Sequence, residues 1–292
     1  MSGALETVLD LRTIAGYALR EAVRRKVLVV VVVLTAGFLA LYAYGSHEAF
    51  DEAARISATG EVTIDDRVLT GSTLLGLAMF VTLFLGTVLA VFVTLNAVRG
   101  DAERGLLQPL VVRPVGRTTL LLARFVAAAA VCVPYVVIVY GASLVLTGTA
   151  GGYWPDHPAA GGIALAAAVT LVVGLALVGT TLLSTTANGI AIFMIFGAGL
   201  AAGLMGQIGT ALESPMLEQI AQVASWVLPF EAVYQDGLYA LTADIEGATG
   251  IIVELGPFGG AQDASPLLYP YALAYLVVGG LVANRIFKRA DL

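Results

Sequence analysis

Six long apolar segments constrain this chain more than any other feature of its sequence. They are residues 27–45, 72–98, 119–146, 161–184, 189–206 and 268–287. A helix that crosses the hydrocarbon core of a bilayer needs about 20 mostly apolar residues, and these segments approach or exceed that length. Charged residues make up only 12% of the 292 residues, about half the usual share in a soluble domain. The sequence therefore predicts an all-α integral membrane protein with six transmembrane helices.

The basic residues predict how these helices are oriented. Thirteen of the fifteen Lys and Arg residues fall in three groups beside apolar segments, at 12–26, 99–124 and 285–289. Short loops rich in Lys and Arg stay in the cytoplasm. Only an even number of spans places all three groups on one side. We therefore expect a multi-pass protein of the cell membrane (inner or plasma) with both termini in the cytoplasm, and external loops at 46–71, 147–160 and 207–267.

Residues 5–26 are predicted to form an amphipathic helix at the membrane surface. Leu11, Ile14, Ala18 and Ala22 recur at helical spacing, whereas the Arg residues of this stretch take other faces. Such a helix lies in the interface, with its Arg side chains toward anionic lipid or a partner. The alternative is that these residues only supply the positive charge that orients the first span.

The predicted external segment 207–267 is too long for a loop without structure of its own. Within it, residues 217–241 carry apolar side chains at helical spacing on both sides of Pro229. Proline removes a backbone hydrogen bond and breaks a helix. Trp226 and Tyr234 are aromatic residues of the kind favoured at membrane interfaces. We therefore expect two short re-entrant helices that lie in or dip into the outer leaflet, broken at Leu228-Pro229.

Residues that could perform chemistry are scarce. The sequence contains no G-x-x-x-x-G-K-[ST], H-E-x-x-H, C-x-x-C or G-x-S-x-G motif, so we expect neither a nucleotide-binding domain nor an enzyme. His47 and His157 fall in predicted external loops, where solvation is expected rather than metal binding. The six spans hold no ionisable residue well inside the hydrocarbon region, where ion-coupled carriers place one. Energy for moving a solute would therefore come from another protein.

The fifth span carries a face of small residues. Gly199 and Gly203 form a G-x-x-x-G pair, and Gly206 continues the face. Such a face lets helix backbones approach closely. The sequence leaves open whether it packs within the chain or forms the seam of a dimer. A pathway lined by Thr side chains, Phe193, Phe196 and aliphatic residues would suit an amphipathic or lipid-like solute.

The basic loop 99–124 is the most specific stretch of the sequence. Asp101 and Glu103 suit the first turn of a short helix, and Arg113-Pro114 forces extended backbone after it. The loop is thus predicted to be a compact protrusion that meets a cytoplasmic partner. Its pattern comprises Glu103, Gly105, Leu107, Leu110, Arg113, Pro114, Val115, Arg117, Leu120, Leu121 and Arg124. This pattern resembles the permease subunits of ABC-2 type ABC transporters, and residues 228–234 resemble that family's segment before the last span.

The resemblance implies a non-catalytic permease subunit of an exporter. Two copies of the chain, a homodimer, would bind two copies of a cytoplasmic ATPase. ATP and Mg would bind to that ATPase, so no cofactor is expected on this chain, and no nucleic acid partner is expected. The loop 99–118 would be the coupling helix. Its implied ATPase-docking residues are Asp101, Glu103, Arg104, Leu106, Leu107, Gln108, Leu110, Arg113, Pro114 and Arg117.

The resemblance also implies roles for the fifth span and the external segment. The family's fifth span lines the pathway and meets its copy across the dimer, which implicates Gly199, Gly203, Gly206, Phe193 and Phe196. Its external re-entrant helices close the pathway, which implicates Trp226, Pro229, Phe230, Glu231 and Tyr234. The alternative function is a non-transporting membrane scaffold or sensor of the same fold. An intramembrane enzyme would need convergent catalytic side chains at membrane depth, and the sequence shows none.

Overall fold

The computed structural model of the chain describes residues 16, 26–57, 65–95, 117–242, 245, 249 and 265–289, and this part contains helices and no strand. The helices are α1 Lys26–Ser57, α2 Asp66–Thr94, α3 Arg117–Gly151, α4 Pro158–Leu182, α5 Thr185–Ala211, α6 Pro215–Val227, α7 Pro229–Thr242 and α8 Leu268–Arg289. Helices α1 to α5 and α8 are long and apolar enough to cross a membrane. The predicted fold class, an all-α protein with six span-length helices, is confirmed.

Helix α4 lies at the centre of the bundle. It contacts α2, α3, α5, α7 and α8, and Leu165, Val169 and Val173 on it are fully buried. Helices α1 and α8 pack on the outside, where apolar side chains such as Val33 and Leu281 are exposed. In a membrane, lipid covers such an apolar outer surface without a cost in hydration. The bundle therefore has a protein-packed centre and an apolar perimeter.

The bundle has two distinct ends. Loop 152–157, which holds Tyr153, joins α3 to α4 at one end, and the start of α2 lies beside it. We call this the Tyr153 end. At the opposite end, the Thr118 hydroxyl donates to the Asn284 Oδ1 at 2.9 Å and connects the start of α3 to the last turns of α8. We call this the Asn284 end. The basic groups of the sequence predict that the Tyr153 end is external.

Helix α1 is longer than the sequence predicts. It continues past the expected end at Gly45 to Ser57. Its additional turns are stabilised by pairs of side chains rather than by apolar packing alone. His47 Nδ1 lies 3.2 Å from the Asp51 carboxylate, and Arg55 lies 3.1 Å from the Glu52 carboxylate. An apolar run marks the part of a helix suited to hydrocarbon, whereas pairs at i,i+3 and i,i+4 extend a helix beyond it.

The connection between α4 and α5 is shorter than the sequence predicts. The predicted spans 161–184 and 189–206 leave residues 185–188 for the connection, but only Leu183 and Ser184 separate the two helices. Asn188 lies in the first turn of α5, fully buried, and its Nδ2 donates to the Ala176 carbonyl at 3.1 Å. Asparagine is a common turn residue, but Asn188 instead joins the start of α5 to α4.

Two predicted elements fall mainly outside the described residues. Of the predicted surface helix 5–26, the description includes Gly16 and Lys26. Of the predicted coupling loop 99–118, it includes Arg117 and Thr118, at the start of α3. Both elements stay predictions from the sequence.

Candidate functional site

Helix α6 runs back along α5 after a tight reversal of the chain. The reversal passes through Glu213, whose φ of 50° lies in the left-handed region. Gly209 of α5 then faces Leu217 of α6, and Gly206 faces Ala221; a Cβ at either glycine would lie 3.0 Å from its partner's Cβ. Because α5 starts at the Asn284 end, α6 begins at the Tyr153 end and runs along the outside of α5, with no buried residue of its own. Small residues on α5 make this close antiparallel contact possible.

Helix α7 returns toward the Tyr153 end. Helix α6 ends before Leu228, and Pro229 begins α7. At the first position of a helix, the missing N–H of proline costs nothing. Gly237 of α7 packs against Gly161 at the start of α4. Near the end of α7, the Tyr153 hydroxyl donates to the Leu241 carbonyl at 3.4 Å. Helices α6 and α7, residues 215–242, therefore form a hairpin that starts and ends at the Tyr153 end; neither is one of the six span-length helices.

The tip of the hairpin reaches the middle of the bundle. The Phe230 ring stacks on Phe196, with centroids 5.9 Å apart, and Phe84 of α2 lies 6.1 Å from Phe196 on a tilted plane. Phe196 is close to the midpoint of α5. Gly199 leaves room for the Phe230 ring, because a Cβ there would come within 2.6 Å of its Cζ. The start of α7, which the sequence places outside the spans, thus lies between them.

Glu231 carries a carboxyl group into the bundle beside this stack. Only 5% of the residue is exposed, and Gln235 Nε2 donates to its Oε1 at 2.7 Å. Gln207 of α5 approaches the Gln235 side-chain oxygen at 3.5 Å. Gly203 leaves the space for the carboxyl, because a Cβ there would overlap Oε1. Burial raises the pKa of the Glu231 carboxyl to about 7, although the hydrogen bond from Gln235 lowers it.

These groups border a pocket of about 510 Å³ between α5, the hairpin and the start of α8. Its polar lining includes Gln207, Glu218, Gln222, Glu231, Gln235 and Tyr271. The Tyr271 hydroxyl donates to the Trp226 carbonyl, and the two rings meet edge to face at 4.8 Å. Concave sites of about 300–1,000 Å³ with a few convergent polar groups are typical of small-molecule binding. We call this site the hairpin pocket.

The residues assigned to the pathway and the dimer lie around the hairpin. Gly199, Gly203 and Gly206 all face the hairpin of the same chain. The sequence left packing within the chain and a dimer seam open, and the structure shows packing within the chain. Phe196 is buried in the aromatic stack, whereas Phe193 is half-buried against the core. Contact with a second copy of the chain stays a prediction.

The residues assigned to the external helices occupy both sides of the break. Trp226, near the end of α6, is about half exposed at the edge of the hairpin pocket. Pro229, Phe230, Glu231 and Tyr234 are buried in the first turns of α7. The interface signal that Trp226 and Tyr234 share therefore corresponds to two different environments, one at a pocket edge and one in the core.

The predicted ATPase-docking surface lies almost wholly outside the described residues. Its members there are Asp101, Glu103, Arg104, Leu106, Leu107, Gln108, Leu110, Arg113 and Pro114. Arg117 is the first residue of α3, at the Asn284 end of the bundle. Its side chain lies outside the described part of the structure, so this surface stays a prediction.

Sequence reasoning missed most of the polar groups of the hairpin pocket. It drew attention to an interior lined by Thr, Phe and aliphatic residues, but Gln207, Gln235 and Tyr271 converge near Glu231. One signal was available, because Glu231 and Gln235 are four residues apart and share a helix face. Gln207 and Tyr271 reach the site from separate helices, and no local pattern marks them.

The described residues also bear on metal binding. Among them, no group of three or more His, Cys, Asp or Glu side chains is arranged to hold a metal ion. His47 pairs with Asp51 on α1, and His157 precedes α4 at the Tyr153 end. Cys132 is buried in α3.

Comparison with known proteins identifies one matching family. A family model described as "ABC-2 family transporter protein" matches residues 12–292. The match includes all six span-length helices, the hairpin and the basic loop 99–124. No curated protein matches the chain.

Proposed function

Because the chain belongs to the ABC-2 family of transporter proteins, we propose that it is the permease subunit of an ABC exporter. In this proposal, it works as a homodimer and moves a solute with energy from ATP hydrolysis by a separate ATPase. The family match over residues 12–292 is the observation that carries the proposal. The six span-length helices make the chain a multi-pass membrane protein, as a permease must be.

We assign the hairpin to closing the solute pathway at the Tyr153 end. Its helix α7 packs between α2, α4, α5 and α8, with Phe230 and Tyr234 buried. Transporters often bind their solutes where a helix is broken at membrane depth and irregular backbone lines a cavity. The break at Leu228 supports this assignment, because Trp226 and Glu231 on either side of it line the hairpin pocket. Opening would require the hairpin to move relative to α5.

We assign the basic loop 99–118 to docking of the ATPase. ATP binding would bring two ATPase subunits together and move the two loops with them. The spans would then switch between two arrangements, one open to each side of the membrane. Arg117 begins α3, so a displacement of the loop would act directly on a long helix of the bundle.

Co-purification tests this proposal. We expect the tagged chain, extracted from its native membrane, to retain an ATPase, and charge reversal at Asp101, Glu103 and Arg113 to release it. Reversal at Glu48, which is exposed on α1, is the matched control and should leave the ATPase bound. An intact chain that never retains an ATPase would overturn the assignment. ATP-dependent transport by the reconstituted complex would separate a permease from a non-transporting scaffold or sensor.

A further inference from the structure

Among the described residues that line the hairpin pocket, acidic side chains are present and no Lys or Arg is. Glu231 and Glu218 both line it. The sequence has no Lys or Arg between residues 125 and 284. That range includes α4, α5, the hairpin and the whole segment 243–264 that joins the hairpin to α8. A buried carboxylate without a cation is costly, so the pocket is suited to a ligand that brings the missing charge.

In the described part of the chain outside that range, the helices packed against α7 place no cation in the pocket either. Helices α2 and α8 also pack against α7. The basic residue of α2 is Arg67, in its first turn at the Tyr153 end, where it lines a different cavity. The first basic residue of α8 is Arg285, one position after Asn284 at the opposite end. Neither residue lines the hairpin pocket.

We propose that the hairpin pocket binds an amphiphilic molecule with a protonated amine, whose ammonium group pairs with Glu231. An ammonium group donates hydrogen bonds to carboxylate and amide oxygens, and the pocket offers Glu231, Gln235 and Gln207. Trp226 and Tyr271 also line the pocket, and aromatic rings of these types attract cations. Ala221, Ala232, Leu267 and Leu268 form its apolar side, which suits an alkyl or aryl tail.

A bare metal ion fits the hairpin pocket less well than an organic cation. Calcium and magnesium need about six or more oxygen ligands within about 2.6 Å. The described residues contain no cluster of three acidic or imidazole groups arranged for a metal. The volume of about 510 Å³ is that of a small-molecule site. A molecule with a charged head and an apolar body fills such a space, and an ion does not.

The protonation of Glu231 gives the proposal a pH signature. Burial raises the pKa of this carboxyl to about 7, and a bound ammonium would favour the ionised form. Binding should therefore weaken as the pH falls below about 7. The other titratable groups on the elements around α7 are Glu218 of α6, Asp66 and Arg67 of α2, and Tyr269, Tyr271, Tyr275, Arg285, Lys288 and Arg289 of α8; α4 and α5 carry none. Tyr234, Asp236 and Tyr239 lie on α7 itself.

The further step, that the bound amine is the solute that the protein transports, rests on the proposed function. Binding itself needs no ATPase and can be measured on the full chain in lipid nanodiscs. The sequence has two tryptophans, so Trp154→Phe leaves Trp226 as the single reporter at the edge of the pocket. The probe is n-octylammonium, and n-octanol is the neutral probe of matched length.

We expect n-octylammonium to change Trp226 fluorescence with saturation, and n-octanol to bind about fivefold more weakly or worse. In this background, Glu231→Gln should lower the affinity for n-octylammonium by about fivefold or more, because the substitution removes the negative charge and keeps the shape of the side chain. Glu48→Gln, on the exposed part of α1, should change neither affinity. Equal binding of the two probes, or a smaller loss in Glu231→Gln, would overturn the proposal.

A second readout needs no change at Glu231. Between pH 8 and pH 5.5, n-octylammonium stays charged while Glu231 gains a proton. Binding at pH 5.5 should therefore be weaker by about fivefold or more, and a smaller change would overturn the proposal. Failure of both readouts in a chain that still retains its ATPase would leave the proposed function standing. Specific amine binding by a chain that retains no ATPase and shows no transport would support the binding site and contradict the proposed function.

Discussion

Phe230, the second residue of α7, stacks on Phe196 of α5 with ring centroids 5.9 Å apart and ring planes 15° from parallel. Both rings are buried. Phe84 of α2 approaches the same Phe196 ring at 6.1 Å, so three helices meet at this point. The hairpin of α6 and α7 is therefore held at its tip, in the middle of the bundle, as well as along its length.

Removing the Phe230 ring should destabilise the protein strongly. Only 1% of the residue is exposed, and truncation of a buried Phe to Ala typically costs about 3–5 kcal/mol. Thermal unfolding of Phe230→Ala in detergent measures the effect. Phe80→Ala is the matched control. Phe80 on α2 is 36% exposed, so its truncation should destabilise the protein clearly less. Equal losses for the two variants would show that the stack does not hold the hairpin.

Two glycines on α5 should respond oppositely to alanine. A Cβ at Gly199 would lie 2.6 Å from the Phe230 ring, whereas a Cβ at Gly197 would meet nothing within 4 Å. Gly197→Ala should be neutral or stabilising, because Ala is favoured over Gly within a helix by about 0.5–1 kcal/mol. Gly199→Ala should lower the unfolding temperature, since the ring must leave its stack. Equal unfolding temperatures for Gly197→Ala and Gly199→Ala would contradict the packing of the hairpin on α5.

The stability of the protein should depend on pH through Glu231. Its folded pKa of about 7 lies above the ordinary value of 4.5, so the folded state holds the proton more tightly than the unfolded state. The contribution of Glu231 to stability is therefore full below about pH 4.5 and is lost as the pH rises through about 7. The loss is at most about 3 kcal/mol.

Glu231→Gln resembles the protonated form and should remove this part of the pH dependence. At pH 8 the variant should unfold at a higher temperature than the wild type, and the difference should shrink toward pH 5. The measurement is the unfolding midpoint across this range, with Glu48→Gln, exposed on α1, as the control that keeps the wild-type profile. Parallel profiles for Glu231→Gln and the wild type would show that the buried carboxyl does not titrate as described.

The six spans could be predicted because the bilayer sets a length requirement that apolar runs must satisfy. The end of α1 could not, because His47 and Asp51 extend the helix with a polar pair that hydropathy does not register. The start of α5 could not be predicted either, because of Asn188. It is a turn former by composition, but its amide is used between two helices.

The break in the hairpin was predictable, and its depth was not. Pro229 signals the end of a helix in any environment. Trp226 and Tyr234 suit an interface equally well whether a helix lies on the membrane or enters it. The hairpin pocket depends on this depth, because it brings Glu231 and Gln235 to Gln207 of α5. That convergence is a product of tertiary packing, which no local pattern encodes.

A disulfide between α5 and α6 tests most directly whether the hairpin packs on α5 of its own chain. A Cβ at Gly206 would lie 3.0 Å from the Ala221 Cβ, close to the roughly 3.5–4.5 Å of a disulfide. With Cys132, the sole cysteine, changed to Ser, oxidation of Gly206→Cys/Ala221→Cys in membranes should give a reducible link within one chain. The control Gly197→Cys/Ala221→Cys should give none. A band of twice the mass, or no link at all, would contradict the packing of the hairpin on α5 of the same chain.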